Sequence, residues 1–100
     1  MPSMKHVVLL KFRLETSAGD IQRVFDGLRG LQSKIPGIQE FVGGPYSSPE
    51  GLNHGYTHGF VMTFQDAAAR DAYLPHKEHE RVKTWVLPLV DKVIVFDFEV

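Results

Sequence analysis

One hundred residues, 43% of them hydrophobic, with 11 basic against 12 acidic side chains and a net charge of −1, describe a single globular domain over residues 1–100 with one modest core. No Lys/Arg cluster longer than a pair occurs, which argues against nucleic acid or an anionic membrane as partner, and the absence of cysteine excludes disulfides and thiolate chemistry. The longest apolar runs are four residues, far short of the ~20 that a membrane-spanning helix needs, and Met1-Pro2-Ser3-Met4 leads into a strand without a basic flank or cleavable apolar segment, so the expected compartment is the cytoplasm.

Residues 5–13 are rich in β-branched and aliphatic side chains and read as a strand that is apolar on both faces, with His6, Val8, Leu10 and Phe12 on one side and Val7 and Leu9 on the other. Thr16 or Ser17 caps a following helix, Asp20 suits its first turn, and Ile21, Val24, Phe25, Leu28 and Leu31 recur at three- and four-residue spacing. Pro36-Gly37 ends this helix, residues 38–43 form a second strand, and the Gly/Pro/Ser-rich stretch 44–51 is a loop, expected to be the most mobile segment. Residues 56–64 alternate, with Tyr56, His58, Phe60, Met62 and Phe64 on one face, and read as a central strand. Asp66 caps a short alanine-rich helix that carries Tyr73 and stops before Pro75. A further helix starting near Pro75 carries His79 and ends or kinks at Pro88, and residues 92–99 close the chain as a fourth strand.

This order predicts an α+β fold: a ferredoxin-like βαββααβ monomer whose four-stranded antiparallel sheet has its helices on one face. Helices cover one face only, yet the first and last strands are apolar on both. The uncovered side, bearing Val7, Leu9, Val61, Ile94 and Phe96, is therefore expected to pack against a second copy across a two-fold axis, giving a homodimer through the sheet face.

The chemistry concentrates in residues 71–79, where a tyrosine and two of the five histidines flank a helix junction. At roughly 100° per residue, His79 shares the inward stripe of Val82, Trp85, Val86 and Leu89, while His76 falls at the rim or caps the helix. An inward imidazole beside a phenol makes an acid/base pair, so His79 and Tyr73 are the candidate catalytic residues. Strand parity places His6, Val8 and Leu10 on the helix-covered face with His58, Phe60, Val93, Val95 and Asp97. Val24, Phe25, Leu28 and Val82 face them from the helices, which gives a mostly apolar pocket for a small ligand. Lys83 lies within about 40° of His79 around the helix and is expected at the pocket mouth, favouring an acidic ligand. Each polar residue also has a purely structural reading, as a hydrogen-bonded core group. His76 and His79 are three residues apart rather than four, so no metal is expected, and nothing in the chain calls for a cofactor.

Lys5-His6-Val7-Val8-Leu9 with Lys11-Phe12, Gly55-Tyr56-Thr57-His58, Tyr73-Leu74-Pro75-His76 with His79, and Val95-Phe96-Asp97-Phe98 together resemble the stress-responsive A/B barrel (Dabb) family along essentially the whole chain. The resemblance implies a ferredoxin-like monomer pairing into a dimeric α+β barrel. The family includes a plant polyketide cyclase that performs an aldol condensation without a cofactor, and by that resemblance His79 takes the place of its acid/base histidine and Tyr73 of its tyrosine. His6, His58 and Asp97 take the places of the polar residues around them. Leu28 and Val90 stand where that cyclase has a tyrosine and a tryptophan, and Lys83 where it has a glycine, so its substrate does not carry over. The resemblance thus implies a cofactor-independent cyclase or lyase of aldol type. The alternatives are a non-catalytic stress-response barrel and a cofactor-free monooxygenase-like enzyme.

Overall fold

Residues 2–100 are described by a computed structural model of the chain. Strand β1 (Met4–Phe12) is the pivot: it pairs antiparallel with β3 (His58–Phe64) on one side and β4 (Val90–Glu99) on the other, and β2 (Ile38–Pro45) completes the sheet in the order β2-β3-β1-β4. Register fixes the two faces. His6 lies opposite Met62 and Asp97, Val8 opposite Phe60 and Val95, and Leu10 opposite His58 and Val93. Val7 lies opposite Val61 and Phe96 on the reverse side. The expected βαββααβ order and face parity are therefore the ones observed.

Helix α1 (Ala18–Gly30) starts at Ser17, whose Oγ accepts the Asp20 N–H at 3.1 Å, and runs into a single 3₁₀ turn at Leu31–Ser33. Gly37, at φ +95°, lies where a Cβ would come 2.6 Å from the Ala69 Cβ, so only glycine serves the turn into β2. Helix α2 (Ala67–Tyr73) is capped by Asp66, which accepts the Ala69 N–H at 2.8 Å. Helix α3 (Lys77–Val86) begins two residues later than expected, because His76 stays extended and its Nδ1 accepts the Glu78 N–H at 3.1 Å. Pro88 sits in a closing 3₁₀ turn at Leu87–Leu89, after which β4 starts at Val90 rather than Lys92.

The core fills the space between this helix layer and one sheet face. Val24, Phe25 and Leu28 of α1 and Val82 and Val86 of α3 press on Val8, Leu10, Phe60, Met62 and Phe64. A Cβ at Gly27 would lie 2.5 Å from the Trp85 ring, so α1 and α3 approach there because position 27 has no side chain. Tyr56 and Thr57 are not in β3 but in the loop closing onto β2, where the Tyr46 N–H donates to the Thr57 carbonyl. Val93 and Val95 of the edge strand β4 point to the helix side as expected and line a cleft with Lys83 and Val86 of α3, while remaining exposed.

Candidate active site

Tyr73 ends α2 and His79 opens α3, and the short Leu74-Pro75-His76 connection folds the two rings together. They stack with centroids 4.1 Å apart and planes 23° from parallel. Leu74 supplies the backbone carbonyl that orients the imidazole. A carbonyl only accepts, so the 3.0 Å contact to His79 Nδ1 puts the proton on Nδ1 and leaves the lone pair on Nε2. Burial is the main influence lowering the His79 pKa, with the positive charge of Lys83 and the nearby His6 acting the same way against the Leu74 bond and Glu80. The ring is thus a neutral base around pH 7. Tyr73 is only 1% exposed, and burial pushes its phenol pKa well above the usual value, so it remains a donor. Among the described residues its hydroxyl takes no protein partner, while no buried side-chain polar atom is left unpaired. The hydroxyl therefore opens onto the cleft.

Beneath this stack lies His6, its ring centroid 5.9 Å from that of Tyr73 and inclined at 68°. His6 Nδ1 donates to Asp97 Oδ1 at 2.8 Å across the β1–β4 pair. The other oxygen of Asp97 accepts Arg70 Nη1 at 2.6 Å, and Arg70 Nε reaches Asp71 Oδ1 at 2.8 Å. Two imidazoles thus flank one phenol, one fixed by a carbonyl and one by a carboxylate.

These rings line a cleft of about 260 Å³ whose remaining walls, Lys83 aside, are apolar. Of the expected residues, His6, Val8, Leu10 and Leu28 line it, as do Phe60, Tyr73, His79 and Lys83. Asp97 acts one step back, through His6. Val24, Phe25 and Val82 do not line the cleft; they are buried in the core, and Phe25 lines the groove that holds His58. His58 shares the parity of His6 but lies four residues along β3 from Met62, the residue opposite His6, a separation of roughly 13 Å at the rise of a strand. It lines a separate groove of about 330 Å³ between α1 and β2, packs on Phe12 and Phe25, and has its pKa lowered by burial. Lys83 stands at the cleft wall, but its Nζ lies 2.7 Å from Glu80 Oε1, so its charge is shared with that carboxylate. Among the described residues no three His, Cys, Asp or Glu side chains form a metal-holding group, and no helix is long and apolar enough to cross a membrane.

Sequence reasoning missed Arg70 and the Leu74 carbonyl. Arg70 was within reach, since it precedes Tyr73 by three residues and so shares its helix face. The role of Leu74 depends on the path of a connection that periodicity does not describe.

A four-stranded antiparallel sheet under three helices, with a phenol and imidazoles in an apolar cleft between the layers, defines a ferredoxin-like α+β protein with a candidate small-molecule site. The Dabb family model, the stress responsive A/B barrel domain, matches residues 4–100, and the chain belongs to this family. It is similar to the stress-response A/B barrel domain-containing protein HS1 of Arabidopsis thaliana, with 34% identity over 96 residues that cover 96% of this chain and 88% of that protein. Olivetolic acid cyclase of Cannabis sativa is 24% identical over 96 residues, covering 96% of this chain and 95% of the cyclase. Among solved structures, a dimeric ferredoxin-like protein of unknown function from Jannaschia sp. CCS1 superposes with a TM-score of 0.86 at 33% identity, over 98% of this chain and 99% of that one.

Proposed function

We propose that this protein is a cofactor-independent cyclase or lyase of aldol type, acting on a small enolisable carbonyl compound, with His79 as base and Tyr73 as the group that steadies the oxyanion. The observation that carries this reading is the stacked pair itself: an imidazole whose Nδ1–H is committed to the Leu74 carbonyl, set against a phenol that stays protonated. His79 Nε2 takes a proton from carbon beside the carbonyl, the C–H electron pair becomes the C=C bond of the enolate as the carbonyl π pair moves onto oxygen, and the Tyr73 hydroxyl donates to that oxygen as charge develops. The enolate carbon then attacks a second carbonyl carbon of the same molecule, whose π pair moves onto its oxygen, and the resulting alkoxide takes up the proton carried by His79 Nε2, which restores the neutral base. Leu10, Leu28 and Phe60 hold the apolar part of the substrate. The match to olivetolic acid cyclase along nearly its whole length supports the same reading.

We also propose that the protein works as a homodimer packed through the bare sheet face. Phe96 is 65% exposed there, with Leu9, Val42, Ile94 and Phe98 also open to solvent, and burying them contributes on the order of 25 cal/mol per Å².

The test of the chemistry is proton exchange at the acidic carbon of a β-ketothioester in D₂O, followed by NMR. The reading expects exchange faster than in buffer, lost in the folded His79→Ala variant. Exchange no faster than in buffer, or unaffected by the substitution, overturns it in favour of a non-catalytic barrel that binds a small apolar ligand, a role that the predominantly apolar cleft also suits.

A further inference from the structure

We infer that Arg70 is a positioning residue for His6: by occupying Asp97 Oδ2 it fixes which atom of the residue-97 side chain faces the imidazole, and whether that atom accepts or donates decides which ring nitrogen of His6 presents its lone pair to the cleft. The inference rests on the proposed use of the cleft only for its importance to turnover. The hydrogen-bond geometry stands without it.

A guanidinium has donors and no acceptor, so whatever atom meets Arg70 Nη1 at 2.6 Å must accept. Arg70 is itself held by a second bond, Nε to Asp71 Oδ1, which fixes the fork at the end of α2. With aspartate at position 97 both carboxylate oxygens accept, one from Arg70 and one from His6 Nδ1 at 2.8 Å. The proton therefore sits on Nδ1, and Nε2 is the nitrogen that His6 offers to the cleft. His6 is 5% exposed and no buried side-chain polar atom is unpaired among the described residues, which agrees with an Nε2 that meets the cleft rather than the packed core. Arg70 and His6 thus act on opposite oxygens of one carboxylate: the carboxylate sets the direction of the bond to His6, and Arg70 fixes which of the two atoms faces the ring.

This arrangement has a consequence that a merely structural ion pair would not have. In Asp97→Asn one side-chain atom accepts and the other donates. Arg70 claims the oxygen, the amide NH₂ turns to His6, and Nδ1 must now accept, so the ring proton moves to Nε2. Two-bond ¹H–¹⁵N NMR of ¹⁵N-histidine-labelled protein, at alkaline pH where imidazoles are uncharged, reads this directly. Wild type is expected to show His6 protonated at Nδ1, Asp97→Asn at Nε2, and Asp97→Asn with Arg70→Met at Nδ1 again, because the amide is then free to rotate. Arg70→Lys keeps a donor and should leave the Asp97→Asn result unchanged. Retention of the Nδ1 proton in folded Asp97→Asn overturns the inference. Should that variant not fold, Arg70→Met alone decides: the His6 Nδ1 proton is expected to exchange with solvent at least several-fold faster than in wild type, and an unchanged rate overturns the inference. The NMR result holds or fails whether or not turnover is found. If turnover is measurable, it should fall in Asp97→Asn and recover in part in the double variant.

Discussion

On the side of the sheet facing the helices, His6, Val8 and Leu10 of β1 lie under Tyr73, Leu28 and α3, and on the reverse side Val7 and Leu9 of the same strand face outward beside Ile94 and Phe96. The two faces are similarly apolar, and one residue of alternation separates them. They differ in their polar groups. The covered face holds the His6–Asp97 pair and the cleft, whereas the side-chain hydrogen bond on the bare face joins Lys5 to Thr63. On the covered face burial lowers the His79 pKa and raises that of Tyr73, and the Leu74 carbonyl and Asp97 fix the tautomers of His79 and His6. The proposed chemistry thus falls on the covered face and the proposed dimer contact on the bare one.

The largest effect that tests this contrast is loss of the base. His79→Ala is expected to reduce turnover on a β-ketothioester by roughly 10²-fold or more with the fold retained by circular dichroism, as removal of a general base typically does. A folded variant with wild-type turnover would remove the chemical half of the contrast. The same imidazole sets the pH dependence. Burial lowers its pKa from the ordinary 6.5, so turnover should persist to more acidic pH than an unperturbed histidine allows and then fall as Nε2 is protonated. Stability has the same sign. The unfolded chain binds this proton more readily than the folded one, so the His79 contribution is complete above the ordinary imidazole pKa and is lost as pH falls from there to the lowered folded value. Thermal unfolding of wild type and His79→Ala between pH 8 and 4 checks this, and identical pH slopes would count against a buried neutral imidazole.

Adhesion is tested next. Phe96→Asp places a carboxylate on the bare face and is expected to convert a dimer into a folded monomer, because burying an unpaired charge costs several kcal/mol. Sedimentation of a dimer as tight as wild type would mean that the copies associate through another surface. Tyr73→Phe should have a smaller effect, roughly ten- to hundredfold on turnover, since it keeps the ring against Phe64 and His6 and removes one hydrogen bond to a developing charge. The smallest effect belongs to Lys83→Ala, a few-fold loss of affinity for carboxylate-bearing ligands in calorimetric titration, reduced further by salt. The Glu80 carboxylate beside the lysine is the reason for expecting so little.

Periodicity was enough for the order of elements, for the faces of β1, β3 and β4 and for the inward aim of His79, because the two-residue repeat of a strand and the 3.6-residue repeat of a helix are set by local backbone geometry. It also put His6 and Asp97 on the same side, while the Dabb family was legible only from the resemblance of particular stretches such as Tyr73-Leu74-Pro75-His76. Three decisions belonged to the tertiary structure. His58 has the parity of His6 but the wrong height along the strand, and height is fixed by the pairing of β3 with β1 rather than by alternation. Val24, Phe25 and Val82 face inward as expected, yet how deep they lie depends on how closely the helix layer settles, which the contact of Gly27 with Trp85 controls. The tautomers of both cleft histidines depend on the Leu74 carbonyl and on Asp97, brought close by a three-residue connection and a strand pair spanning 91 positions of sequence. Alternation along a chain records which way a side chain points; what it meets there is decided by segments far away in sequence, and the acid/base character of this cleft comes from those meetings.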